Sequence, residues 1–122
     1  MLPAVSQWMM SGSYFTHNKH RIFYKKSAAS KRPVVLLIHG FPTASFDFAP
    51  IWPLLEKKFS LITADMLGFG FSDKPTGYSY SIIEQADILL ALLERENIKS
   101  FHILAHDYGV SVAQELLARQ QG

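Results

Sequence analysis

The sequence contains no cysteine. This excludes a disulfide framework, a thiolate-ligated zinc site and a thiol nucleophile. Net charge is also scarce: 12 Lys and Arg against 10 Asp and Glu leave +2. Nucleic acid and anionic membrane surfaces select for stronger basic character, so neither is expected as a partner. Long apolar runs are missing too. The run at residues 34–38 ends at His39-Gly40, and nothing approaches the ~18 residues that span a bilayer. The opening residues, Met1-Leu2-Pro3-Ala4-Val5-Ser6-Gln7-Trp8, have neither the basic start nor the apolar stretch of a secretory signal. A cytoplasmic location is the expectation. No internal repeat, low-complexity tract or domain linker interrupts the chain.

What remains is the composition of one packed unit. The 122 residues are 48% hydrophobic and 18% charged. Such a chain can bury a core and is not expected to be disordered. Phe15, Ile22, Phe23 and Tyr24 flank the polar stretch His17-Asn18-Lys19-His20, which predicts a hairpin pairing roughly 13–16 with 21–26. His17 and His20 have metal-like spacing, but a hairpin tip makes them a solvated turn. Lys25-Lys26 and Lys31-Arg32 read as a solvated connector.

Residues 33–38, 61–64 and 101–105 are continuous apolar runs of the kind buried on both faces in a parallel sheet. Helical patterns fall between and after them. Residues 48–58 carry Ile51, Leu54 and Leu55, with Pro50 and Pro53 obscuring the helix start. In residues 82–96, Ile82, Ala86, Leu89, Leu90 and Leu93 share one helical face. Ser81 with Glu84 reads as a capping box. Val112, Ala113, Leu116 and Leu117 form the stripe of a last helix over 110–121. The expected fold class is α/β: a hairpin followed by parallel βαβ units with right-handed crossovers.

Three segments follow the buried strands, at the sheet edge where open α/β folds bind ligands. They are His39-Gly40-Phe41-Pro42, the loop from Asp65 to Asp73, and Ala105-His106-Asp107-Tyr108-Gly109. The third has small residues two before and two after its apex, the pattern of a nucleophile elbow. Asp107 at that apex is the candidate nucleophile, and a carboxylate can form an ester intermediate. A plain helix cap is the alternative for an Asp at such a turn. The backbone amides of Phe41 and Tyr108 are the candidate oxyanion hole. His39, Gly40, Pro42, His106 and Gly109 support the loops. His39 precedes the nucleophile, so it is expected to be structural and not the catalytic base. Gly68-Phe69-Gly70 matches a dinucleotide fingerprint poorly, because Asp73 stands at the third glycine position and no helix follows directly. Phe41, Phe69 and Phe71 are expected to line an apolar substrate pocket.

These motifs, in this order, resemble the α/β-hydrolase superfamily in its aspartate-nucleophile branch, with epoxide hydrolases and haloalkane dehalogenases. Gly68-Phe69-Gly70-Phe71-Ser72-Asp73-Lys74-Pro75, Ala113-Gln114-Glu115-Leu116-Leu117 and Arg21-Ile22-Phe23-Tyr24 extend the likeness over nearly the whole chain. The resemblance implies that residues 1–122 are the N-terminal half of the α/β-hydrolase core, through the elbow and its helix. It implies attack by Asp107 on an apolar substrate, and hydrolysis of the ester by a histidine and an acid lying beyond this chain. Three positions depart from the pattern, one of them Val110, which follows Gly109 where many relatives have a smaller residue; the other two bear on the activity. Tyr108 replaces the Trp that usually follows the nucleophile, and Phe41 replaces the Asn with which dehalogenases hold halide. The expected activity is therefore epoxide hydrolase-like, with no cofactor and no metal. The alternatives are a non-catalytic binding or regulatory relative and a truncated product. The expected partner is a small apolar substrate, with self-association possible through strand 101–105. The resemblance also implies an alternative location at the endoplasmic reticulum membrane.

Overall fold

The computed structural model describes residues 3–28, 30–78 and 80–121. A helix, α1 (Pro3–Met10), leads into strands β1 (Ser13–His17) and β2 (His20–Lys26). Then come β3 (Val34–Ile38), a 3-10 turn (Ser45–Phe48), α2 (Trp52–Leu55) and β4 (Ser60–Ala64). The chain closes with α3 (Ile82–Arg95), β5 (His102–Ala105) and α4 (Tyr108–Gln121). The five strands form one sheet in the order β1-β2-β4-β3-β5. β3 runs parallel to both β4 and β5, while β2 is antiparallel to β1 and β4.

The hairpin is the expected one, with Ser13 opposite Tyr24 and His17 opposite His20. Its two turn residues, Asn18 and Lys19, both have positive φ, 46° and 73°. That backbone twist matches the twist of the flanking strands in a two-residue hairpin. Side chains on β3 and β4 alternate between two cores, as period-two geometry requires. Leu36, Ile38, Ile62 and Ala64 face α3 and α4. Val35, Leu37 and Leu61 face the opposite side, with Trp8, Phe48 and Trp52. The sheet is thus sandwiched between helical layers.

The structure departs from the sequence expectations at five places. The helix α1 was not foreseen. It is held by contacts distant in sequence, with the Trp8 ring edge-on to Trp52 at 5.3 Å. The pattern at 48–58 yields only the four-residue helix α2 (Trp52–Leu55), preceded by the 3-10 turn that ends at Phe48. Pro53 stands in the first turn of α2, where its missing N–H is harmless, while Pro50 keeps the preceding turn apart. On α3 the buried stripe runs through Gln85, Ala86, Ile88, Leu89, Leu92 and Leu93, leaving Leu90 half-buried. On α4, Leu117 is 54% exposed although its spacing places it beside buried Leu116. Ser81 does cap α3, accepting the Glu84 N–H at 3.1 Å. The reciprocal half of the box is absent, because the Glu84 carboxylate instead accepts the Tyr78 hydroxyl.

Candidate active site

The three loops converge at the C-terminal ends of β3, β4 and β5. Asp107 lies in the turn between β5 and α4, exposed, with φ of 55°. A left-handed conformation at a non-glycine residue carries about 1–2 kcal/mol of strain. It also separates Asp107 from a simple helix cap. Capping residues adopt extended backbone, as Ser81 does with φ −129° and ψ 151°. The turn is tight: the Gly109 N–H reaches the His106 carbonyl at 2.9 Å, and the Val110 N–H reaches that of Asp107 at 2.9 Å.

The small residues around the apex have steric causes. A β-carbon on Gly109 would stand 2.6 Å from the Ile38 carbonyl oxygen and 2.7 Å from that of His39. The start of α4 therefore presses directly on the end of β3. A β-carbon on Gly40 would stand 2.6 Å from the β-carbon of Asp107. The loop after β3 is thus packed closely against the elbow. The Phe41–Pro42 peptide of that loop is cis. Neither the Phe41 nor the Tyr108 amide donates a hydrogen bond among the described residues. Both remain available to a ligand, next to the amino end of α4, whose dipole favours negative charge.

His39 is fully buried. Its Nε2 accepts the Met66 N–H at 2.9 Å, and its Nδ1 lies 2.7 Å from the Gly40 carbonyl oxygen. That pairing requires the neutral ring with the proton on Nδ1. Burial pushes its pKa down, against the partial pull of the Gly40 carbonyl and of Asp65. With both nitrogens committed, His39 has no free site for proton transfer and ties the β3 loop to the β4 loop. His106 is exposed and borders a cavity with His39, Leu104 and Ala105. Pro42 is exposed, and Tyr108 packs partly on the α3–α4 core, where burial raises its phenol pKa.

The loop after β4 is held by polar contacts that sequence reading did not assign. Asp65 is buried, and its two carboxylate oxygens accept the Ser45 and Phe71 amides, each at 2.8 Å. Gly70 has φ of 54°, and any side chain there would overlap the Asp65 carboxylate. Gly70 thus serves a turn wrapped on Asp65, whereas Gly68, with φ of 93°, lies against the Tyr80 ring. Ser72 accepts the Phe23 N–H at 2.9 Å, and Asp73 accepts that of Arg21 at 2.8 Å, tying the loop to β2. Gln85 of α3 clamps Leu67, accepting its N–H at 3.0 Å and donating to its carbonyl at 2.9 Å. Of the three phenylalanines expected in one pocket, Phe41 and Phe69 do meet, at 5.8 Å. Phe71 instead packs on Phe23 at 5.4 Å, in the other core.

A hairpin feeding parallel βαβ units, with a strained acidic elbow at the sheet's carboxyl edge, defines an α/β-hydrolase class of protein. The sequence model of the alpha/beta hydrolase fold family matches residues 33–121, and the chain belongs to that family. It is 48% identical over 122 residues to the mesoderm-specific transcript homolog protein of Bos taurus, covering 96% of this chain and 36% of that protein. It is 35% identical over 97 residues to a haloalkane dehalogenase of Bradyrhizobium diazoefficiens, covering 80% of this chain and 31% of that protein. The crystal structure of the haloalkane dehalogenase DbeA-M1 loop variant from Bradyrhizobium elkanii superimposes with a TM-score of 0.82 at 34% identity. That match covers 91% of this chain and 36% of the dehalogenase. The chain thus spans about a third of the length of the curated relatives it matches, and corresponds to the N-terminal portion of the hydrolase fold.

Proposed function

We propose that Asp107 is the nucleophile of an epoxide hydrolase-like reaction, carried to completion in the whole protein. The observation that supports this reading is the left-handed backbone of Asp107, with φ of 55°, at a turn that Gly40 and Gly109 compress. Strain of this kind persists where the surrounding structure holds it, and it clusters at reactive sites.

In the first step a carboxylate oxygen of Asp107 attacks a ring carbon of an epoxide. The carbon–oxygen bond of the ring breaks, and the released alkoxide takes a proton from water. The product is a hydroxyalkyl ester of Asp107. Water then attacks the ester carbonyl. The Phe41 and Tyr108 amides would stabilise the negative oxygen that forms there. Collapse releases the diol and restores the carboxylate. An epoxide is preferred over an alkyl halide because the Phe41 side chain has no N–H to hold a departing halide.

The attacking carboxylate is present in this chain, whereas His39 is committed to structure. The 122-residue chain is therefore expected to form the ester once and not to turn over. Incubation with styrene oxide followed by peptide mass spectrometry tests this. An adduct confined to the peptide carrying Asp107, and absent in Asp107→Asn, is the expected result. Equal labelling in Asp107→Asn would refute the assignment. Sustained diol formation by the chain would refute the single-turnover expectation.

A further inference from the structure

A second cavity, of about 750 Å³, lies between α1, β2 and the segment from the 3-10 turn into α2. It shares no residue with the elbow or the amides of Phe41 and Tyr108. Its volume falls within the ~300–1,000 Å³ typical of small-molecule sites. Trp8 and Trp52 form its floor, with Phe46 beside them. The floor is rigid. The two indoles pack edge-on at 5.3 Å, and the Trp8 Nε1 donates to the Ser45 hydroxyl at 3.1 Å.

Lys25 is the cationic group lining this cavity. The sequence placed it in a solvated connector, but its ammonium lies over both rings, 4.7 Å from the Trp8 centroid and 5.3 Å from that of Trp52. It donates to the Ser11 hydroxyl at 2.6 Å. An ammonium has three donors, and among the described residues Lys25 makes no salt bridge. Burial lowers its pKa, and the field of Glu56 raises it in part. A cation half withdrawn from water with donors to spare is matched by an anion, in a charge-assisted hydrogen bond. The apolar walls require the rest of the ligand to be hydrocarbon. Asp47 also borders the cavity, and repels a second negative charge.

We propose that this cavity binds a small amphipathic monocarboxylate, with its carboxylate on Lys25 Nζ and its apolar body along Phe46 and the Trp8–Trp52 floor. The site is independent of the reaction proposed at Asp107.

Trp8 and Trp52 are the two tryptophans of the sequence. Intrinsic fluorescence therefore reads this cavity directly. The probe is octanoate below its micellar range, titrated into the 122-residue chain. A saturable change is expected. Octan-1-ol and octylammonium should bind roughly tenfold or more weakly, the size of one charged hydrogen bond. Octanedioate should also bind more weakly. Lys25→Gln should lose the preference for octanoate over octan-1-ol, and Lys25→Arg should keep it. Asp107→Asn should bind octanoate as the unaltered chain does. The proposal is overturned if octan-1-ol matches octanoate, if no saturable change occurs, or if Asp107→Asn abolishes the signal. The comparison of octanoate with octan-1-ol needs no variant, so misfolding of Lys25→Gln would leave the test intact.

Discussion

Gly40 packs so closely on Asp107 that a methyl group on Gly40 would stand 2.6 Å from the Asp107 β-carbon. The loop that presents the Phe41 amide and the turn that presents the carboxylate are therefore positioned by each other. Gly40→Ala must push them apart. The rate of ester formation with styrene oxide should fall roughly 10- to 100-fold, the penalty of displacing a reacting group by about 1 Å. A time course of adduct mass checks this, and an unchanged rate would show that the contact is irrelevant.

Gly109→Ala strikes a stiffer neighbour. Its methyl group would meet two backbone oxygens, those of Ile38 and His39. Neither can rotate away as a side chain would. A loss of about 1–3 kcal/mol is expected, as for other overpacked sites. Urea unfolding measures it, and a midpoint equal to that of the unaltered chain would contradict the close packing.

Asp107→Gly should gain stability while losing reactivity. Glycine removes the ~1–2 kcal/mol of left-handed strain, and gives back about 0.5–1 kcal/mol in unfolded-chain entropy. The net gain is expected near 0.5 kcal/mol by urea unfolding. A clear destabilisation would mean that the carboxylate holds the turn together.

His39 sets a pH dependence. Its pKa is lowered in the folded chain from the ordinary value of 6.5, chiefly by burial. The unfolded chain therefore takes up a proton more readily as pH falls. This contribution to stability is present above about pH 6.5 and is lost progressively below it. His39→Gln should flatten the slope between pH 7.5 and 5.5, read as the urea midpoint at each pH. A slope unchanged by the substitution would assign the dependence to other groups.

Strand β5 pairs with β3 along one edge, and Leu104 is 40% exposed on it. An apolar strand edge without a charge invites pairing with another chain. We expect concentration-dependent association of the chain by light scattering, reduced by Leu104→Lys. A monodisperse monomer at high concentration would refute it.

The strands and the elbow were legible because each is announced locally. The run at residues 34–38 is apolar throughout, and Ala105 and Gly109 bracket Asp107 at fixed spacing. The groups that brace the site were not legible. Gln85 looks like a surface residue of a helix until Leu67 is seen beside it. Asp65 gives no sign in sequence that its oxygens bond residues 20 positions before it and 6 after it. Lys25 reads as part of a basic connector until its ammonium is seen over two tryptophans from distant elements. Helix α1 begins without a capping signal and depends on Trp8 meeting Trp52. In each case the decisive partner is remote in the chain, and local pattern does not encode it.

The line of bonds from Trp8 through Ser45 and Asp65 to Phe71 also carries unequal costs of loop closure. Its three links span 37, 20 and 6 positions. Closing a longer loop costs more chain entropy, so the Asp65–Phe71 turn is the easiest to close and the Trp8–Ser45 link the hardest. Within this line of bonds, docking of helix α1 on Ser45 is therefore the step that costs the most chain entropy.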